Sequence, residues 1–201
     1  MNILKNKLVH FINRFAQYTV SGFYFWIFII RGGIIYGFVP AAIGLIKSID
    51  VIHLDEDHSI KSVFIDSRRQ YSQHKWLSFW LFLFTGVTIM CLYSPLFTTD
   101  SRLGFIQLPL IILTAITWIY SVYSIYFLAR DKQQSHDTKW LYALAFDTCI
   151  RHPFNSLIIL LMICALSLLI PVNLFAFIFF APPVFILLTK KLVYIPSVLL
   201  C

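Results

Sequence analysis

HPFNSLIILLMICALSLLIPVNLFAFIFFAPPVFILLT, residues 152–189, runs for 38 positions without an Asp, Glu, Lys or Arg. A helix that crosses a membrane needs about 20 apolar residues, so this run is too long for one crossing. Pro171-Val172-Asn173 interrupts it near the middle, and proline lacks the N–H that would carry a helix onward. The stretch reads as two membrane helices, 154–170 and 174–189, folded into a tight hairpin. Upstream lie two further uncharged runs, 76–99 with 24 residues and 103–129 with 27. Each is long enough for one span, placed at 76–97 and 105–129.

Composition points the same way. The 201 residues are 59% hydrophobic, 17% aromatic and 12% charged, and the mean hydropathy is +0.80. A soluble domain carries about 25% charged residues. Half that charge cannot cover a water-soluble globule, so a soluble enzyme is excluded and the whole chain, 1–201, reads as one integral membrane domain. The net charge of +7 then marks cytoplasmic loops, where Lys and Arg are retained, and not a nucleic-acid surface. Cys91, Cys149, Cys164 and Cys201 form no C-x-x-C pair and read as small apolar residues. Lys5, Lys7 and Arg14 precede a bulky apolar run with no small-residue cleavage site, which reads as a retained membrane segment.

The N-terminal region leaves alternatives open. Runs 15–30 and 32–46 hold 16 and 15 uncharged residues, split by Arg31-Gly32-Gly33. At 1.5 Å per residue each reaches about 24 Å, short of a core of roughly 30 Å. The region is either one long helix or a hairpin or re-entrant pair with Arg31-Gly32-Gly33 at its apex. Charge distribution favours the hairpin. With the N-terminus, 47–75, 130–153 and 190–201 on one side, 14 of the 16 Lys and Arg collect there. Only Arg31 and Arg102 then fall opposite. The expected fold is all-α: a polytopic transmembrane bundle of five or six segments (about 15–30, 32–49, 76–97, 105–129, 154–170 and 174–189) in the cell membrane, with both termini cytoplasmic.

Two cytoplasmic connections read as amphipathic helices. In 59–74, Ile60, Val63, Phe64, Ser67 and Tyr71 fall near helical spacing, opposite Lys61, Asp66, Arg68 and Arg69. In 138–151 the stripe is Trp140, Leu141, Leu144, Thr148 and Cys149, and Pro153 suits the first turn of the next helix. Superposing Asp66 on Asp147 and Ser67 on Thr148 gives a weak repeat of amphipathic helix, then span.

Sites for chemistry are sparse. Segments 76–97, 105–129 and 154–189 contain no ionisable Asp, Glu, Lys, Arg or His, whereas ion-coupled transporters and pumps carry such a group at depth. Arg31 reads as an interfacial charge at a turn, with an anion contact as the functional alternative. His53, Asp55, Asp57 and His58 could ligate a divalent metal, or form a solvated loop; no third anchor accompanies them, and no metal or cofactor is expected. The P-loop, G-x-S-x-G and H-E-x-x-H patterns are missing from the sequence. Arg68, Arg69, Lys61 and Lys75 suit anionic lipid headgroups or an acidic partner surface. Gly33, Gly37, Pro40, Ala41, Ala42 and Gly44 concentrate small residues in one segment, which either packs closely or offers a partner-docking groove. Pro40 is expected to loosen or kink that segment.

GGIIYGFVPAAIGLIKSID (32–50), SVFIDSRRQYSQHKWLSFW (62–80) and LYALAFDTCIRHPFNSLIILL (141–161) together resemble the YesL family of bacterial integral membrane proteins, which carry a domain of unknown function. The departures are Gly44, where the family usually has Ala, and Arg31-Gly32-Gly33 in place of Pro-x-x-Thr. The resemblance implies a link to carbohydrate uptake in Gram-positive bacteria. Compared with the coupling loop of importer permeases, Asp147 falls suitably, but Thr148 stands where Gly is expected. The chain is thus expected to be a non-catalytic accessory to the permease subunits of a carbohydrate ABC importer. Gly33, Gly37, Pro40, Ala41, Gly44, Arg68 and Arg69 would be its docking residues. The alternative is a stand-alone small-solute transporter or channel lined by Thr85, Thr88, Thr114, Thr117, Ser121, Ser124, Asn155 and Ser167.

Overall fold

The computed structural model describes residues 2–54, 59–93, 101–131 and 137–193. No strand occurs among them. In chain order the helices are α1 (Asn2–Arg31), α2 (Phe38–Leu54), α3 (Ile60–Tyr71), a single 3₁₀ turn (Ser72–His74), α4 (Lys75–Tyr93), α5 (Ser101–Arg130), α6 (Thr138–Arg151), α7 (Pro153–Ser167), the short α8 (Leu169–Val172) and α9 (Leu174–Leu192). Four helical stretches are long and apolar enough to cross a membrane: Ile60–Tyr93, Gln107–Arg130, Pro153–Val172 and Leu174–Leu192. They are compatible with a multi-pass membrane protein. The hairpin of the 152–189 run is present, its break falling at Asn173, whose side chain accepts from the Ala176 amide and caps α9.

α2 is the hub. Val39, Ala41, Ala42, Ile43, Leu45, Ile46 and Ile49 are each at most 6% exposed, and α1, α3, α4, α5 and α9 all pack on this helix. Its apolar faces are covered by protein, which is why a helix of only 17 residues can be so hydrophobic. The expected segment 32–49 therefore begins later, at Phe38. Pro40 lies in the first turn of α2 and does not kink it, because the first amides of a helix have no intrahelical acceptor to lose. One of those amides is satisfied from outside: the Ser78 hydroxyl accepts from the Val39 N–H at 3.0 Å.

The α1–α2 turn depends on glycine. Gly33 takes φ +78° and Ile34 φ +55°. The Gly32 and Gly37 backbones pass so close that a Cβ at Gly32 would collide with the Gly37 Cα. α2 then lies alongside residues 118–130 of α5, from the Phe38–Trp118 ring contact at 5.8 Å to the Asp50–Arg130 ion pair. The turn thus falls beside the middle of α5, well short of its N-terminal end.

The sequence repeat has a structural counterpart. α2–α3–α4 and α5–α6–α7 each place a short amphipathic helix between two longer ones. α3 buries Phe64, Ser67 and Tyr71; α6 buries Leu141, Ala145 and Thr148. Ser67 and Thr148, which superpose in the repeat, are both buried. Trp140, expected in the stripe, is 37% exposed, and Ala145, fully buried, occupies the face instead. Asp137 caps α6 by accepting from the Lys139 amide, Asp147 forms an i,i+4 pair with Arg151, and Pro153 opens α7.

Candidate functional site: a basic recess at the α1–α2 turn

Where α1 ends, α3 crosses above it. The Arg68 guanidinium donates from Nη2 to the Arg31 carbonyl at 3.0 Å, one of the carbonyls that a helix C-terminus leaves without an intrahelical donor. Around this contact lie two adjoining recesses. One, of about 270 Å³, is lined by Phe28, Gly32, Tyr36, Gly37, Pro40, Ala41, Arg68, Ser72 and Lys75. The other, of about 460 Å³, is lined by Phe28, Arg31, Ile65, Arg68, Arg69 and Ser72. Among the described residues, four cations border them and no acid does. Asp50 is engaged elsewhere, with Lys190 at 2.7 Å and Arg130 at 3.3 Å.

This contact brings Arg31 beside the cations of α3. Loop charge places Arg31 apart from Lys47–Lys75, whereas in the fold its carbonyl lies 3.0 Å from the Arg68 guanidinium. The chain turns at the glycines, and α2 packs back against α1.

The small residues divide between two roles. Gly37, Pro40 and Ala41 reach the recess with Arg68. Gly44 faces α3, where a Cβ would stand 2.8 Å from Cδ1 of Phe64, so its smallness admits an aromatic ring of the same chain. Gly33 sits exposed at the turn, where an added Cβ would meet nothing within 4 Å. Arg69 is exposed on α3. The Thr and Ser residues considered as a pore lining turn elsewhere. Thr85, Thr88, Thr117, Ser121 and Ser167 bond to carbonyls of their own helices. Thr114 meets Thr88, the Trp118 indole donates to Thr85, and Asn155 donates to the Leu192 carbonyl. Ser124 is buried, with its hydroxyl beside the Tyr120 phenol one turn away. Of the 53–58 cluster, Asp55, Asp57 and His58 lie outside the described residues; His53 faces the Tyr18 hydroxyl at 3.5 Å. Among the described residues no three His, Cys, Asp or Glu gather as metal ligands.

Two polar centres were not legible beforehand. Asp50 ties α2 to both α5 and α9 through Arg130 and Lys190, with side chains 21–33% exposed. Beside it the buried Tyr126 hydroxyl donates to the Ile186 carbonyl at 2.8 Å. The only signal was an acid one turn from the end of an apolar helix. The second centre joins His74, at the entry to α4, to the Tyr142 hydroxyl of α6 at 2.9 Å. Burial pushes the Tyr142 phenol up to about 12, with Tyr120 adding to the shift. Burial likewise pushes the Cys149 thiol up, against a smaller opposing contribution from the Ser156 hydroxyl.

The fold and its sites define an all-helical protein with four stretches fit to span a bilayer and a cationic recess at a helical turn. Compared with known proteins, the chain matches no family, no curated sequence and no solved structure.

Proposed function

We propose that the chain is a non-catalytic, four-pass protein of the cell membrane that works as an accessory beside the permease of a carbohydrate importer. The crossings in this reading are α4, α5, α7–α8 and α9, while α1 and α2 form a hairpin that packs on the bundle with its turn at the cytoplasmic interface. Moving Arg31 to that side leaves only Arg102 opposite, so 15 of 16 Lys and Arg are cytoplasmic. An even number of crossings keeps both termini there.

The observation that carries the accessory role is the outer half of α5. None of the described residues 107–117 is buried, whereas Ile119 and residues 121–129 all are. There α5 pairs with α4 through Thr88–Thr114 and Gln107 to the Cys91 carbonyl, leaving Leu108, Ile111, Ile112 and Ile116 exposed. Such a two-helix arm offers a long apolar flank to transmembrane helices of a partner, and its hydroxyls act as glue between helices instead of lining a path. The sugar-uptake context rests on the YesL resemblance.

Affinity purification in mild detergent tests the partnership: permease subunits are expected to co-purify, and recovery of the chain alone at every expression level overturns it. Single cysteines test the topology. Gly33→Cys and Lys139→Cys are expected to react from the same side of the membrane, and Asp100→Cys from the other. Labelling of positions 33 and 100 from one side would overturn the four-pass reading.

A further inference from the structure

The geometry points to the recess at the α1–α2 turn as a binding site for the phosphate-bearing headgroup of an anionic phospholipid. Its cations come from three separate elements: Arg31 from the end of α1, Arg68 and Arg69 from the last turn of α3, and Lys75 from the start of α4. Arg31, Arg69 and Lys75 are exposed, and among the described residues no acid lines either recess. Asp50 is taken by two other cations. Like charges gathered this way repel one another until an anion lies between them. Arg68 spends one of its five donors on the Arg31 carbonyl, which fixes the planar guanidinium and leaves the others free for phosphate oxygens. The volumes, about 270 and 460 Å³, are comparable to those of small-molecule sites, roughly 300–1,000 Å³.

What selects a lipid over free phosphate is the apolar side of the same place. Phe28, Pro40 and Ala41 line the recess. Beside it the turn exposes Ile30, Ile34, Ile35 and Tyr36, at 67%, 54%, 42% and 45%. A headgroup among the cations would lay its glycerol and acyl chains against these side chains. Basic groups beside an apolar surface are the pattern by which membrane proteins hold anionic headgroups. The inference concerns the chain and its bilayer alone and holds with or without a permease partner.

The test is native mass spectrometry of the full chain released from nanodiscs containing phosphatidylglycerol and phosphatidylethanolamine in equal amounts. Wild type is expected to retain phosphatidylglycerol preferentially. Arg31→Gln/Arg69→Gln/Lys75→Gln spares Arg68, which holds the end of α1, and is expected to lose that retention by roughly ten- to a hundredfold. Lys139→Gln/Arg151→Gln/Lys191→Gln removes equal charge from exposed positions away from the recess and is expected to keep it. The single variant Arg69→Gln, at an exposed position, supplies a milder loss should the triple variant fail to fold. Equal loss in both triple variants would overturn the site, as would a wild type with no preference. Displacement of the lipid by millimolar inorganic phosphate would overturn the lipid assignment in favour of a free anion.

Discussion

Ile34 holds φ at +55°, a region that costs a side chain with a Cβ about 1–2 kcal/mol and that β-branched residues rarely enter. The turn is otherwise well closed, since the Ile34 amide donates to the Ile29 carbonyl at 2.9 Å. Asparagine tolerates this backbone, so Ile34→Asn is expected to stabilise the folded chain by about 1 kcal/mol, read as a raised unfolding midpoint in detergent. The same substitution removes an apolar group from the proposed lipid site, so stability should rise while phosphatidylglycerol retention falls. At Cys149 the prediction concerns reactivity. The thiolate is the reactive form, and burial holds the thiol above its ordinary value. Its alkylation by a maleimide should therefore be slower at neutral pH than that of a free thiol, with the rate still climbing where a free thiol has levelled off. Ser156→Ala, which removes the one group working against burial, is expected to move that profile to still higher pH.

At the scale of elements, the contact between α1 and α9 is explained by two prolines. Pro182 and Pro183 lie inside α9 and cannot donate to the carbonyls four residues earlier, at Ile178 and Phe179. Both freed carbonyls are met by α1. The Trp26 indole donates to the Ile178 oxygen at 2.9 Å, and Gly22 lets the backbone press on the Phe179 oxygen, where any Cβ would collide. Trp26→Phe keeps the ring and leaves the Ile178 carbonyl unpaired, an expected loss of about 1–2 kcal/mol in unfolding free energy. Gly22→Ala is expected to cost more, because the obstacle is backbone and cannot turn aside. The sequence exposed the elements themselves: uncharged runs of span length, the break before Asn173 and the amphipathic stripes each follow from local pattern. It did not expose this pairing, since a tryptophan and a glycine on one helix and two prolines some 150 residues later carry no common periodicity. The recess was half legible for a similar reason. Arg68 and Arg69 stood out as a local pair, whereas Arg31 joined them only once the glycine turn had folded α1 back under α3.

For the molecule as a whole, the question is what keeps α2 seated when it has neither the length nor the lipid-facing surface of a span. Apolar packing holds its first half, where Val39 to Ile46 are buried. Its second half adds polar ties to the packing of Ile49 and Ile52: Lys47 donates to the Tyr71 hydroxyl at 3.1 Å and to Gln70 at 3.2 Å on α3, and Asp50 accepts from Lys190 on α9 and Arg130 on α5. Asp50 thus lies between two cations from different helices, and removing it leaves those cations facing each other at partly buried positions. Breaking a fully buried pair costs about 3–5 kcal/mol; with side chains 21–33% exposed, water screens part of this, and Asp50→Ala is expected to cost about 1–3 kcal/mol. Asp147→Ala is the matched control. Its pair with Arg151 lies within one helix, with side chains 49–73% exposed, and such pairs contribute about 0.3–0.5 kcal/mol. Unfolding midpoints in detergent should therefore fall clearly for Asp50→Ala and hardly at all for Asp147→Ala, and raising the salt concentration should narrow the gap only in part. A larger fall for Asp147→Ala would mean that α2 is held by packing alone and that α5 and α9 meet independently of it.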